Sequence, residues 1–276
     1  MPRFDPHPAR RPVVVTGASS GIGAAVAEAF ASVGHPVLLG ARRIDRLEEL
    51  AQRIVREGGE ARAVVLDLAD PVSIARFSET AEAWTGGVEV LVSNAGDVQP
   101  IDTVGPHAEF ARQLEVNLLG AQHLASELVP AMIGRGRGDV VFVTSEVAVR
   151  PRTHMAGYVA SKAALEGFVA AMAMECEGTG VRVGMVRPGP VGTEQGSTWD
   201  GEDVAKVIDS WTRWGLMRHG GMLRPPEVAD AVLAMATVPK GTRYALIEVQ
   251  PEAPVSAEPA PLLALHHLDD STEESA

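Results

Sequence analysis

The chain has 276 residues, 46% of them hydrophobic and 22% charged, enough for one large α/β domain with a full core. A net charge of −12 argues against a nucleic-acid backbone partner, and no run of eighteen apolar residues offers a membrane span. One cysteine, Cys176, excludes an intrachain disulfide and, in an apolar helical run, reads as a buried inert thiol.

Residues 1–11 read as an N-terminal arm with Arg3, Arg10 and Arg11. The apolar run behind it, residues 13–15, is too short for a signal-peptide core, so a cytoplasmic location is expected. From there β-branched runs alternate with amphipathic ones. Strands are expected at 13–16, 36–41, 61–66, 88–93, 140–145, 181–186 and 243–249. Helices are expected at 24–33, with Ile22, Val26, Ala29, Phe30 and Val33 on one apolar face, and at 44–58, 72–85, 109–134, 155–177, 201–216 and 225–237. The strands are almost continuously apolar, as in a parallel sheet covered on both faces, and the alternation predicts a single doubly wound α/β domain over residues 12–251. Residues 252–276 form a Pro/Ala-rich tail with six acids and no Lys or Arg, half of the net negative charge; an apolar patch, Leu262 to Leu265, interrupts it.

The first turn carries chemistry. Thr16-Gly17-Ala18-Ser19-Ser20-Gly21-Ile22-Gly23 follows a strand and opens a helix. Its three glycines permit a tight turn and close approach of backbone N–H groups to a pyrophosphate at the positive end of the helix. Strand two ends in Gly40-Ala41-Arg42-Arg43 rather than in an acid. Nothing there repels a 2′-phosphate and Arg42 can grip one, which favours NADP(H) over NAD(H). The alternative is that Arg42 and Arg43 merely start a solvated helix. Asp67-Leu68 offers a carboxylate to an adenine amino group or, alternatively, an ordinary helix-start acid. Ser93-Asn94-Ala95-Gly96 supplies small residues over which a cofactor passes.

Tyr158 and Lys162 are spaced i, i+4, which on a helix puts an ammonium beside a phenol. A nearby cation favours the phenolate and is expected to lower the Tyr158 pKa. Ser145 lies thirteen residues upstream at the end of a strand.

With Asn117, Pro188-Gly189 and Thr193, these motifs make the chain resemble the short-chain dehydrogenase/reductase family over most of residues 13–249. The resemblance implies a Rossmann-type sheet of order 3-2-1-4-5-6-7 and NAD(P)-dependent oxidoreduction of an alcohol or carbonyl. It implies Tyr158 as acid/base, Lys162 as its partner and holder of the nicotinamide ribose, Ser145 as donor to the substrate oxygen, and Asn117 as the holder of a water between Lys162 and solvent. Asn94 would brace the sheet beside the cofactor; Thr193 and the backbone near Val191 would bind the carboxamide. A homodimer or homotetramer through the helices starting at Glu109 and Met155 is implied as well.

Two positions depart from the pattern: Ser93 replaces an Asn and Glu146 a Ser. Glu146 is expected to put a carboxylate at the substrate mouth, disfavouring anionic substrates. Arg150, Arg152 and His154 precede Tyr158 and read as solvated or locally paired, with His154 the nearest to the site. Residues 194–223 read as a substrate lid. Trp199, Trp211, Trp214, Met217 and Met222 either line an apolar pocket or pack the lid on itself or in a subunit contact. His266-His267 is too sparse for a metal site. The expected small-molecule substrate is a bulky or medium-chain apolar carbonyl compound, or the corresponding alcohol, rather than a polar sugar. A ketoacyl-thioester reductase and a non-catalytic NADP-binding sensor remain as alternatives.

Overall fold

The computed structural model describes residues 6–84, 86–194, 199–217 and 219–253. Seven strands form one parallel sheet in the order β3-β2-β1-β4-β5-β6-β7. They are β1 (Val13–Thr16), β2 (Val37–Ala41), β3 (Ala61–Val65), β4 (Val90–Ser93), β5 (Gly138–Val143), β6 (Val181–Pro188) and β7 (Leu246–Val249). The predicted fold and strand order are those observed. The central strands β1, β2, β4 and β5 are buried along their whole length, which is why they read as unbroken apolar runs rather than as alternation.

Helices cover both faces. On one side α1 (Gly21–Ser32), α2 (Ile44–Arg56) and α8 (Pro225–Thr237) bury Val26, Phe30, Leu47, Ile54 and Val232 against Val13, Val15, Leu39 and Val92. On the other, α3 (Pro71–Ala83), α5 (Gly120–Gly134) and α6 (Ala156–Glu175) enclose Phe77, Leu124, Leu128, Phe142 and Val169. Each buried Leu, Ile or Phe is worth about 1.5–3 kcal/mol, so these two layers hold the sheet rigid beneath the site. Cys176 is buried, as expected, and burial raises its thiol pKa.

Three details differ from expectation. Helix α1 begins at Gly21, ahead of residue 24, and its buried face runs through Gly23, Val26, Ala27, Phe30 and Ala31; Val33 lies beyond the helix and is exposed. The long helix predicted over 109–134 is α4 (His107–Leu114), a π-helical turn at Glu115–Leu119, and α5. The extra residue in that turn carries Asn117 into the interior. The last strand begins at Leu246 rather than at 243.

Residues 6–11, within the expected arm, are docked. The Arg11 side chain is only 3% exposed and pairs with Asp139 beneath the sheet, while its Nη1 donates to Ala236 O at 2.8 Å. His7 meets Val238 O. Residues 254–276, with the expected acidic tail and its apolar patch, lie outside the described residues. Among the described residues no helix is long and apolar enough to cross a membrane.

Candidate active site

The site forms where β1, β4 and β5 end, beside the point at which strand order reverses, and a doubly wound sheet opens a crevice there. Thr16 ties the first two of these strand ends together. Its Oγ1 accepts from the backbone N–H groups of Asn94 and Ala95, both at 3.0 Å, and its carbonyl accepts from Asn94 Nδ2 at 2.9 Å. Asn94 therefore joins the ends of β1 and β4.

The glycine turn fits tightly over this brace. Gly17 has φ +68°, and a Cβ there would lie 2.8 Å from Ala95 Cα. At Gly23 it would lie 2.4 Å from Gly17 O. Gly21, at φ +56°, faces Thr193, whose Cγ2 would be 3.2 Å from an added Cβ. The turn, Arg42, Arg43, Asp67, Leu68, Ala95 and Gly96 line an elongated cavity of about 320 Å³. A dinucleotide fits this cradle: backbone approaches where side chains would block it, at the start of a helix.

The polar groups of the cradle are arranged as follows. Arg43 Nη2 donates to the Ser19 and Ser20 hydroxyls at 2.9 and 2.7 Å, and Arg43 also meets Glu194. Arg42 is exposed and pairs with none of the described residues. Asp67 Oδ1 accepts from Ala69 N at 3.0 Å, and its own N–H donates to Ser73 Oγ; the helix-start acid proper is Asp70, which caps α3. Asp67 nevertheless lines the cavity.

A second cavity of about 330 Å³ adjoins the first and shares Ile22, Asn94, Gly96, Val98 and Thr193 with it. Ser145, Tyr158 and Lys162 line this second cavity together, with Pro188, Gly189 and Val191 along one side. Ser145 stands two residues past β5 and its Oγ accepts from Val147 N at 3.4 Å. Tyr158 stands in the first turn of α6 and lines the cavity with Ser145. Lys162, one turn on, is buried and donates from Nζ to Val143 O at 2.9 Å. Burial raises the Tyr158 pKa, the Ser145 hydroxyl opposing, and lowers that of Lys162 to about 8. The expectation that Lys162 lowers the Tyr158 pKa is therefore corrected for the protein alone: desolvation is the larger effect, and Lys162 Nζ is 5.8 Å from the ring centroid.

Asn117 is locked from both sides. Its Oδ1 accepts from Asp97 N at 2.6 Å, and its Nδ2 donates to Asp97 O at 2.8 Å and to Ser161 Oγ at 2.9 Å. Ser161 Oγ in turn donates to the Tyr158 carbonyl. Asn117 Oδ1 and Lys162 Nζ both border the space above Gly96. Sequence reading missed Ser161 and Asp97; the only signal was that Ser161 lies inside the Tyr158–Lys162 interval.

The substrate side departs most from expectation. Glu146 is buried, not free at the mouth. Arg152 Nη2 donates to its Oε1 at 2.5 Å and Arg150 lies 3.6 Å away. A paired carboxylate carries no free negative charge into the cavity, so the repulsion expected of it is absent. His154, at φ +60°, does not line the cavity; its ring is engaged by Asp102 instead. Trp199 lines the cavity and donates Nε1 to Val98 O at 3.1 Å. Trp214 does not line it. It follows the last residue of α7 (Gly201–Arg213), is 68% exposed, and its place in the wall is taken by Trp211, three residues earlier. Met217 and Met222 complete the lid wall.

The short chain dehydrogenase family model matches residues 11–203. The chain belongs to that family. A short chain dehydrogenase of Pseudocercospora fijiensis is 37% identical over 210 residues, covering 74% of this chain and 67% of the relative. Glycine betaine reductase of Emericella nidulans is 32% identical over 240 residues, 86% of this chain but only 18% of that much longer protein. Among solved structures, an alcohol dehydrogenase of Thermococcus sibiricus complexed with 5-hydroxy-NADP superposes with a TM-score of 0.76 at 31% identity, covering 90% of this chain and 100% of that one. A 7α-hydroxysteroid dehydrogenase with NADH and 7-oxo glycochenodeoxycholic acid gives 0.75 at 26% identity, covering 87% and 92%. This family member is an oxidoreductase whose relatives are NAD(P)-dependent dehydrogenases.

Proposed function

We propose that the enzyme reduces a neutral, apolar ketone or aldehyde with NADPH, or oxidises the corresponding alcohol. The observation that carries this reading is the placing of Ser145, Tyr158 and Lys162 on one cavity wall where it meets the glycine-lined cradle. NADPH, when bound, supplies the hydride. Ser145 donates to the carbonyl oxygen and stabilises charge developing there. Tyr158 gives its phenolic proton to that oxygen, and Lys162 beside it stabilises the phenolate that remains. Asn117 and Ser161 hold the first turn of α6 in place. Thr193 and the backbone near Val191 would hold the carboxamide, and Arg42 a 2′-phosphate.

The substrate preference follows from the walls. Trp199, Trp211, Met217 and Met222 are apolar, the one carboxylate is neutralised by Arg152, and the guanidinium already covers the Trp211 face that would attract a cationic group. The likeness to a structure holding 7-oxo glycochenodeoxycholic acid, whose reacting group is a ring ketone on a large apolar skeleton, supports a bulky ketone. An assembly of two or four copies through α4, α5 and α6 accompanies this reading, as does residues 12–251 acting as one catalytic unit; light scattering tests the first. The function is tested by NADPH oxidation over ketones and aldehydes of graded size, run beside NADH. Turnover that rises with apolar bulk and favours NADPH supports it. Turnover confined to ketoacyl thioesters, or none despite tight NADPH binding, removes it.

A further inference from the structure

We propose that Arg152 is a positioning residue that straps the lid to the segment carrying Ser145 and thereby sets how bulky a carbonyl the cavity accepts. The proposal rests on the reductase reading above. Arg152 has a 10% exposed side chain and reaches three groups on two different segments. Nη2 donates to Glu146 Oε1 at 2.5 Å, and Glu146 directly follows Ser145. Nη1 donates to the carbonyl of Leu216, just past the end of α7. The guanidinium also lies over the Trp211 ring, 5.6 Å from its centroid. Thr153 continues the strap: its carbonyl accepts from Trp211 Nε1 at 3.0 Å and its hydroxyl meets Ser210 Oγ at 2.7 Å.

Trp199 Nε1 on Val98 O and Glu194 between Arg43 and Arg46 hold the start of the lid, while the ion pair that ties α7 to the body is weaker. Lys206 pairs with Asp102 at 2.7 Å, but both side chains are about half exposed, and such pairs contribute about 0–1 kcal/mol. The Arg152–Glu146 pair is buried, where losing one partner leaves an uncompensated charge. The fork is specific to arginine: two donors point to two acceptors while the flat face stacks, an arrangement that lysine cannot copy. Because Trp211 and Met217 belong to the lid, moving it changes the cavity wall and leaves Tyr158 and Lys162 in place on α6.

The test uses the full-length enzyme with three variants: Arg152→Met, Arg152→Lys and the double variant Glu146→Gln/Arg152→Met. The double variant removes the orphaned carboxylate, so it remains informative if Arg152→Met folds poorly. Limited trypsin digestion, followed by mass spectrometry of cleavage at Lys206 and Arg213, reads the lid without reference to turnover. We expect cleavage at least fivefold faster in all three variants. With a bulky ketone reduced by the wild-type enzyme, we expect KM raised about tenfold and kcat changed less than threefold, with no rescue by lysine or in the double variant. Cleavage at the wild-type rate in the double variant, or wild-type KM there, overturns the proposal by showing that Arg152 only neutralises Glu146. If the wild-type enzyme turns over no carbonyl, the reductase reading fails, and the digestion still decides whether Arg152 holds the lid.

Discussion

Lys162 Nζ passes 5.8 Å from the centre of the Tyr158 ring and ends on the carbonyl of Val143, 2.9 Å away. The i, i+4 pair therefore meets across a strand end, and the ammonium is spent on β5 backbone rather than on the phenol in the protein alone. Burial costs the charged lysine more than Glu166, the nearby carboxylate, returns, so its pKa falls to about 8.

That shift has a stability consequence. Between about 8 and the ordinary value of 10.5, the unfolded chain holds more protons at Lys162 than the folded one, so this group's contribution rises with pH across that window. Below it, the ammonium is charged in both states and its burial is fully unfavourable. Lys162→Met is expected to melt above the wild-type enzyme at pH 7, and the gap should shrink as pH approaches 10. Thermal unfolding of both proteins from pH 7 to 10 measures this; a gap independent of pH removes Lys162 as its source.

Tyr158→Phe keeps the ring that packs over Lys162 and removes the only proton donor proposed for the substrate oxygen. Turnover should fall by about 10²–10⁴, the usual worth of general acid catalysis, while NADPH binding by fluorescence titration stays within twofold. Loss of both together would mean that the substitution disturbed α6.

Arg42 and Arg43 are adjacent but differ in their engagements: Arg43 holds Ser19, Ser20 and Glu194, whereas Arg42 lines the cradle with no partner among the described residues. A charge-assisted contact to a 2′-phosphate is worth about 1.5–3 kcal/mol. Arg42→Ala should therefore raise KM for NADPH roughly 10- to 100-fold and leave KM for NADH unchanged. Equal effects on the two coenzymes would withdraw Arg42 from phosphate recognition.

Gly23→Ala places a Cβ 2.4 Å from Gly17 O and 2.6 Å from Asn94 Nδ2. One neighbour belongs to the glycine turn and the other to the brace beneath it, so the turn itself must shift. Overpacking of this kind costs about 1–3 kcal/mol. Urea unfolding should show that loss, and NADPH affinity should fall with it. Unchanged affinity would mean that the brace yields without moving the turn.

Much of the site was legible in the sequence because its parts are local. Thr16 to Gly23 is one turn, Asn94 to Gly96 one strand end, and Tyr158 to Lys162 one helical turn; spacing alone brings each set together. Asn117 was legible as a residue but not as a geometry. The π-helical turn that carries it inward arises from packing, among Asp97, Ser161 and α6, and leaves no mark on the apolar periodicity.

The lid shows where such reading stops. Trp211 and Trp214 are equally apolar and three residues apart, yet one walls the cavity and the other is solvent-exposed, because α7 ends between them. Glu146 looked like a charge at the substrate mouth until Arg152 was seen to neutralise it. The sequence by itself determined the alternation of strands and helices and the pairing of Tyr158 with Lys162, since apolar patterning and short spacings encode them directly; the strand order and the place of Ser145 beside that pair were legible only through the family resemblance. Only the tertiary structure decided which lid residues face the substrate and which charges cancel, because those depend on contacts between segments with no fixed spacing in the chain.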